Sequence, residues 1–139
     1  MCNSALSVWT LEEAMQVRSL DHIVLCVKDV AAARAFYGRV LGMESREERP
    51  DKWSLHFGSN KISLQDAGTS PEIARETAPG SGNFCLLTDV PIAEVAAHLK
   101  REGVAITAGP DERAGAVGPI LSVYFRDPDG NLIEVSNQL

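Results

Sequence analysis

The sequence has no run of lysine or arginine, and 19 acidic residues outnumber 13 basic ones, for a formal net charge of −6. Aromatic residues make up only 6% of the chain and are not interleaved with basic residues. Nucleic acids and anionic membrane surfaces are bound through clustered positive charge. We therefore expect neither a nucleic acid nor a membrane surface as a partner.

Cysteine and long apolar runs are also scarce. Cys2, Cys26 and Cys85 include no closely spaced pair, and the last two lie in apolar, strand-like stretches where cysteine acts as a small hydrophobic residue. No apolar run reaches the length of about 18 residues that a membrane span needs. The opening MCNSALSVWT lacks the basic start and apolar core of an export signal. These absences predict a reduced, cytoplasmic protein.

The 139 residues, 45% of them hydrophobic, suffice for one small domain preceded by an extension over residues 1–19. In the extension, Thr10 followed by Glu13 is a capping-box pattern, which predicts a short helix. Its apolar residues are Leu11, Ala14, Met15 and Val17. We expect this helix to pack on the body of the protein or on a partner subunit.

Two similar units follow, over residues 20–66 and 82–139, joined by a connector over 67–81 that is rich in Pro, Gly, Ser and Thr. Each unit begins with a strand and a helix that opens with Asp-Val, so Asp29 and Asp89 are the expected N-caps, and each helix ends at a glycine. The predicted strands are His22–Val27, Met43–Glu48, Lys52–Phe57, Lys61–Gln65, Asn83–Thr88, Val104–Thr107, Ser122–Arg126 and Leu132–Asn137.

This order predicts an α+β fold of two tandem βαβββ units that form curved mixed sheets around a concave central site. One helix per four strands covers only one face of each sheet. Because side chains alternate between faces along a strand, a set of polar residues shares the uncovered face. The set is His22, His56, Gln65, Asn83, Tyr124 and Glu134. An imidazole and a carboxylate in one hollow indicate a metal site or an acid/base pair.

Three stretches, LDHIVLCVKD, FYGRVLGM and YFRDPDGNLIEV, resemble the vicinal oxygen chelate superfamily, which includes glyoxalase I, fosfomycin and bleomycin resistance proteins and extradiol dioxygenases. The resemblance covers residues 20–139. Within it, GPILSVYFRDPDGNLIEVSN is similar to small glyoxalase domain-containing proteins. The closing stretch is specific for the superfamily and weak for the reaction.

The resemblance implies a divalent metal ion (Ni, Zn, Mg or Mn) held by one residue from the first strand and one from the fourth strand of each unit. His22 and Glu134 match the family's usual ligands, while Gln65 and Asn83 stand where stronger ligands are usual. Amide oxygens are neutral and bind metals more weakly, so low or absent occupancy is also expected. Extradiol dioxygenation is disfavoured because the second histidine is missing, unless His56 supplies it.

Two residues are candidates for catalysis, Glu134 and His56. Glu134 lies between Ile133 and Val135 and must be paired or coordinated, because an isolated buried charge is costly; without metal, we expect an ion pair with His22. A turn at Ser59-Asn60 would set His56 opposite Ser63 and near Gln65. His56 is then a substitute ligand, a general base, or a half-buried imidazole bonded to a neighbour.

The remaining polar candidates are open to more than one interpretation. Gln65 and Asn83 are either ligands or hydrogen-bonding residues of the hollow. Arg113 and Arg126 could meet an anionic substrate, although Arg126 is expected to pair with the aspartates of the DPDGN turn. The glycine-rich AGAVGP has no helix after it, which excludes a phosphate loop and predicts a mobile loop beside the site.

The resemblance favours a glyoxalase-like lyase or isomerase that acts on a small substrate with vicinal oxygens. The alternative is a non-catalytic binder of the bleomycin-resistance type, in which the same hollow sequesters a small molecule without metal. A third interpretation is an interaction protein whose hollow is filled by side chains. A homodimer is implied by the resemblance.

Overall fold

The computed structural model describes residues 15–66 and 74–139. Thr10 and Glu13, which open the predicted N-terminal helix, lie outside these residues, and residues 15–21 belong to no helix or strand. Within the described ranges, no helix has the length and apolar character required to span a bilayer.

The predicted α+β class and the two tandem βαβββ units are confirmed. The first unit consists of β1 (His22–Val27), α1 (Val30–Leu41), β2 (Glu44–Arg49), β3 (Lys52–Phe57) and β4 (Asn60–Asp66). The second consists of β5 (Asn83–Leu87), α2 (Ile92–Arg101), β6 (Ile106–Gly115), β7 (Gly118–Arg126) and β8 (Leu132–Gln138).

Each unit forms its own mixed sheet of four strands. The first sheet has the order β1-β4-β3-β2 and the second sheet the order β5-β8-β7-β6. In each, the first and last strands of the unit run parallel, and the other pairs are antiparallel. The parallel pair places His22 and Gln65 on neighbouring strands of the first sheet, and Asn83 and Glu134 on neighbouring strands of the second.

Strand alternation sorts the side chains as predicted. The side chains expected to face the helices are buried in both sheets, and they include Leu25, Val27, Leu55, Ile62, Leu64, Val123, Phe125, Ile133 and Val135. They form one core with both helices. Phe36 of α1 contacts Phe125 of the second sheet, with ring centroids 6.5 Å apart, and His98 Nε2 of α2 donates to the Val40 carbonyl at 2.8 Å. The opposite side of each sheet, here called its polar face, therefore turns away from this shared core.

The DPDGN turn before β8 ties the two units together. Its Asp127 is 6% exposed and accepts hydrogen bonds from the Tyr37 hydroxyl at 2.7 Å, from the Asn131 side chain at 2.7 Å and from the Asn131 backbone at 2.9 Å. Asp129 accepts from the backbone N–H of Lys28 at 3.1 Å. A buried carboxylate needs such a full set of donors. Burial, and secondly Asp127, raise the pKa of Tyr37.

The two helix starts differ. Asp29 caps α1 as predicted, and its side chain accepts from the Ala32 N–H at 3.0 Å. The predicted cap at Asp89 is wrong, because α2 begins at Ile92 directly after Pro91. The Ile92 N–H is instead bound by the Asn137 side chain of β8 at 2.7 Å. A residue distant in sequence thus replaces the local cap.

The predicted mobile loop AGAVGP is wrong. It lies in a long hairpin, in which only Ala116 and Val117 form the turn between β6 and β7. Pro110 is tolerated within β6 because this strand lies at the sheet edge, where a missing N–H removes no bond to an outer neighbour. Register shifts between Ile106 and Asp111 absorb the irregular residues.

The predicted turn between β3 and β4 is also off by one residue. Phe57 pairs with Asn60, so the turn consists of Gly58 and Ser59, and the φ of +52° at Gly58 is one that glycine adopts without strain. His56 therefore lies opposite Lys61 and not opposite Ser63. This shift moves His56 away from Gln65.

Candidate functional site

The predicted ligands fall into two pairs, one on the polar face of each sheet. His22 and Gln65 belong to the first sheet, and Asn83 and Glu134 to the second. His22 and Asn83 are exposed, Glu134 is half-buried and Gln65 is 7% exposed. Among residues 15–66 and 74–139, no three His, Cys, Asp or Glu side chains cluster closely enough to hold a metal ion.

His22 stands at the start of β1 with its side chain 42% exposed. Its Nδ1 lies 2.8 Å from the Asp21 carboxylate. A carboxylate that accepts from one ring nitrogen orients the imidazole and leaves the other nitrogen as a lone-pair donor, which is the usual arrangement of metal-binding histidines. His22 also lines a cavity of about 260 Å³ together with Phe57, Phe84 and Cys85.

Glu134 lies in the middle of the second sheet, opposite Cys85 on β5 and Tyr124 on β7. Its carboxylate accepts a hydrogen bond from the Ser122 hydroxyl at 2.6 Å. The carboxylate therefore has a hydrogen-bond donor, and its expected coordination of a metal stays a prediction. The predicted ion pair with His22 is not formed within the described chain, because His22 contacts the adjacent Asp21 instead.

A chain of hydrogen bonds through two serine hydroxyls and one cysteine thiol orients Glu134. Ser122 and Ser136 are fully buried, and their Oγ atoms are 2.6 Å apart; Cys85 Sγ lies 3.3 Å from Ser136 Oγ. Each hydroxyl has one proton. Because Ser122 donates its proton to Glu134, Ser136 donates to Ser122, and the Cys85 thiol donates to Ser136. Strand alternation places these residues on the polar face, but no sequence signal indicated that they hold Glu134.

Gln65 lies farther from His22 than the sequence suggested. In the first sheet Lys61 is level with His22, and Gln65 is level with Cys26. At about 3.3 Å per residue, Gln65 is about 13 Å along the strand from the level of His22. In the second sheet Leu132 is level with Asn83, so Glu134 lies only about 7 Å along. Joint ligation by His22 and Gln65 stays a prediction.

The first-sheet position that matches Glu134 is Ser63. Ser63 follows Lys61 by two residues, as Glu134 follows Leu132, and it is 5% exposed. The resemblance instead matches Gln65 with Glu134, and that equivalence stays a prediction. The side chains suited to a divalent ion are therefore one imidazole, one carboxylate and two amides. They are divided between the polar faces of the two sheets.

His56 belongs to a separate cluster on the first sheet. Its Nε2 lies 2.8 Å from the Ser54 hydroxyl. Lys61 donates to Glu48 at 2.8 Å, and this contact, followed by that from Ser54, lowers the pKa of Glu48 to about 2. The geometry agrees with an imidazole bonded to a neighbour; a catalytic role for His56 stays a prediction.

The two arginines that sequence analysis singled out behave differently. Arg126 donates to the Gly130 carbonyl at 3.0 Å and not to the turn aspartates, so that expectation is wrong. Arg113 reaches from β6 over Tyr124, with its guanidinium carbon 5.4 Å from the ring centre. Cys26 and Cys85 both have free thiols, and burial is the main cause that raises the pKa of each.

Comparison with known proteins bears on this arrangement. The family model described as Glyoxalase/Bleomycin resistance protein/Dioxygenase superfamily matches residues 19–135. The chain is 42% identical over 124 residues to Virulence protein STM3117 of Salmonella typhimurium, which covers 88% of this chain and 85% of that protein. It is 43% identical over 139 residues to Glyoxalase domain-containing protein RDO1 of Mycosarcoma maydis, covering 96% of this chain and 78% of that one.

Solved structures share the fold. The crystal structure of the Salmonella protein superposes with a TM-score of 0.88 at 39% identity, over 90% of this chain and 100% of that one. A lactoylglutathione lyase from Agrobacterium tumefaciens gives 0.68 at 26% identity, over 88% and 96%. Two further structures are similar in fold alone. The antibiotic-binding protein TnmS3 from Streptomyces has a TM-score of 0.72 at 22% identity, over 91% of this chain and 100% of that one. Listeria FosX complexed with Mn(II) has a TM-score of 0.63 at 21% identity, over 89% of this chain and 94% of that one.

Proposed function

Because the chain belongs to the glyoxalase, bleomycin resistance protein and dioxygenase superfamily, we propose that it is a divalent-metal-dependent lyase or isomerase acting on a small substrate with vicinal oxygens. The observation that carries the proposal is the setting of Glu134, a half-buried carboxylate held at 2.6 Å by the buried Ser122 hydroxyl on a polar sheet face. The likeness to a lactoylglutathione lyase supports the same class of reaction.

His22, Asn83 and Glu134 are the residues that would hold the ion, with Gln65 as the fourth predicted ligand. When bound, a divalent ion supplies Lewis-acid polarisation of the substrate's oxygens. Asp21 keeps the His22 ring oriented with one nitrogen available. The chemical type of these donors suits such an ion, and their weakness, two amides among four, predicts modest affinity.

Glu134 is the group proposed to move the proton. The hydrogen bond from Ser122 orients its carboxylate. A positioned carboxylate can accept a proton from a carbon next to the polarised oxygens and return it to the neighbouring carbon. Ser122 is itself held by Ser136, so this orientation does not depend on the substrate.

We further propose a cytoplasmic homodimer in which the polar face of the first sheet of one protomer meets the polar face of the second sheet of its partner. This arrangement would unite His22 with Glu134. Two apolar side chains support it, because Val24 on β1 is 54% exposed and Leu87 on β5 is 64% exposed. Both lie on the faces that carry His22 and Asn83, where an apolar contact would bury them.

The test is metal analysis of protein purified without chelators, followed by titration of a divalent ion into wild type, Glu134→Gln and Glu94→Gln. Glu94 is an exposed carboxylate of α2, so its variant is a control for the lost charge. We expect uptake by wild type, uptake weakened about tenfold or more in Glu134→Gln, and no change in Glu94→Gln. If wild type takes up no metal at millimolar supply, the proposal fails. A separate assay of hemithioacetal isomerisation tests the glyoxalase reaction itself.

The second candidate is a metal-free binder that sequesters a small molecule. The register favours it, because Gln65 lies about 13 Å along the strand from the level of His22, which weakens the case for four ligands around one ion. A binder would hold its ligand equally well with and without a chelator, and equally well in Glu134→Gln. An enzyme of the proposed kind would lose activity under both conditions.

A further inference from the structure

A phenol group separates two opposite charges on the polar face of the second sheet. Tyr124 is paired with Glu134 across β7 and β8, and the guanidinium carbon of Arg113 lies 5.4 Å from the centre of the Tyr124 ring. Among the described residues, the ion-pair partner of Arg113 is Asp111, at the long distance of 3.5 Å, and not Glu134. A cation that served only to neutralise Glu134 would contact it directly, so the spacing by Tyr124 calls for another explanation.

Arg113 retains capacity for a further partner. Its guanidinium presents five N–H donors in a planar fork. Apart from Tyr124, it contacts the Glu112 carbonyl at 3.2 Å and Asp111 at 3.5 Å, and the side chain is 41% exposed. The other arginine on this face, Arg126, donates to the Gly130 carbonyl beside the DPDGN turn. Arg113 is the arginine whose guanidinium lies over the ring of Tyr124, the residue opposite Glu134.

The neighbourhood also favours a small ligand. Arg113 is held over the Tyr124 ring, 5.4 Å from its centre, on the edge strand β6, whose outer side is open to solvent. Asp111, 54% exposed, lies 3.5 Å from Arg113, and Glu134 lies opposite Tyr124, in a chain of net charge −6. An extended polyanion would be repelled by the acidic surroundings, whereas one oxyanion group could reach the guanidinium.

We propose that Arg113 and Tyr124 form an oxyanion subsite, which takes the carboxylate or phosphonate group of a small organic ligand beside Glu134. The two oxygens of such a group match the guanidinium fork. The Tyr124 side chain keeps Arg113 from collapsing onto Glu134. The substrate class of the proposed enzyme is then a small acid with vicinal oxygens; only this last step rests on the proposed function.

The test is an NMR titration of the full-length, metal-free protein with methylphosphonate, and separately with acetate, at constant ionic strength. Wild type should show saturable shifts of backbone amides around Arg113, Tyr124 and Glu134. Arg113→Gln should weaken the binding about tenfold or more, because a charge-assisted bidentate contact is lost. Arg113→Lys should give an intermediate affinity, since it keeps the charge and loses the fork.

Arg101→Gln is the matched control. It removes the same charge from α2, which packs on the opposite side of the second sheet, and should change the affinity less than twofold. The proposal is overturned if wild type and Arg113→Gln bind either anion equally, if neither binds, or if the shifts map to Arg101. Metal titration of the same samples is read separately, so a failure of metal binding with intact anion binding contradicts only the proposed function.

Discussion

Tyr37 on α1 donates a hydrogen bond of 2.7 Å to Asp127 in the turn before β8, across 90 positions of sequence. The contact joins the helix of the first unit to the strand that carries Glu134. Both side chains are buried, and the Asp127 carboxylate is otherwise bonded within its own turn. The geometry of the second sheet is thus anchored in the first unit.

Replacing Tyr37 by Phe should lower the free energy of unfolding by about 2 kcal/mol, because a buried hydrogen bond to a charged acceptor is lost. Urea denaturation measures the change. Tyr124→Phe is the matched control: Tyr124 is also paired opposite a carboxylate, that of Glu134, but is half-buried, so the loss should be about 1 kcal/mol or less. Equal effects of the two substitutions would contradict the anchoring role of Tyr37.

The contact of Glu48 with Lys61 should make stability depend on pH in the acid range. The pKa of Glu48 falls from its ordinary 4.5 to about 2 in the folded protein, chiefly through the hydrogen bond from Lys61. The ionised form therefore stabilises the fold above pH 4.5, and this contribution is lost as the pH falls from 4.5 toward 2. The side chain of Lys61 is 24% exposed and that of Glu48 is 35% exposed, so the effect should be about 1 kcal/mol or less.

Comparing urea denaturation of wild type and Glu48→Gln between pH 6 and pH 2.5 measures this contribution, about 1 kcal/mol at most. The difference between the two proteins should shrink as the pH falls, and added salt should reduce it. Glu94→Gln, at an exposed carboxylate of α2, is the control and should show no such trend. A constant difference across the pH range would mean that the ion pair contributes nothing.

Ser122→Ala should weaken metal binding about tenfold, because Glu134 would lose the 2.6 Å hydrogen bond that orients its carboxylate. Isothermal titration calorimetry with a divalent ion measures it. Ser54→Ala is the control, since Ser54 is an equally buried serine on the first sheet, bonded to His56. It should lower stability by a similar amount, about 1 to 3 kcal/mol, and leave the metal affinity unchanged. Equal metal affinities of the two variants would count against the role of Ser122.

Gly109→Ala should be strongly destabilising, because a Cβ at this position would lie 2.2 Å from the Ser122 carbonyl oxygen. Gly130 has nearly the same φ, +89° against +88°, but a Cβ there meets nothing within 4 Å. Gly130→Ala should therefore cost only the backbone strain of about 1 to 2 kcal/mol, and Gly109→Ala clearly more. Thermal unfolding compares the two, and similar melting temperatures would show that the hairpin shifts to relieve the contact.

Much of the fold was predictable from the sequence, because strand alternation and helix periodicity are local signals of burial. Leu55, Ile62, Val123 and Ile133 were assigned to the core face and are fully or almost fully buried. The Asp29 cap was found for the same reason, since it depends on four consecutive residues. The cap of α2 was not predictable, because the side chain that binds the Ile92 N–H is that of Asn137, at the other end of the unit.

The site was predictable as a set of residues but not as an arrangement. Alternation placed His22, Gln65, Asn83 and Glu134 on uncovered faces, yet it does not show how far along paired strands the residues lie. The parallel register made that decision: it set Gln65 level with Cys26 in the first sheet and Glu134 level with Cys85 in the second. The hydroxyl contact of Glu134 likewise depends on the β7–β8 pairing.

The amino-acid sequence by itself determined the two βαβββ units, the side of each strand that is buried, and the superfamily, because each follows from the order and spacing of residues close together in the chain. Only the tertiary structure decided that both helices share one core, that the two polar faces turn away from it, and that Tyr124 stands between Arg113 and Glu134. These relationships join residues from different strands and units. They are set by strand register and by the packing of side chains across the core, which no local pattern contains.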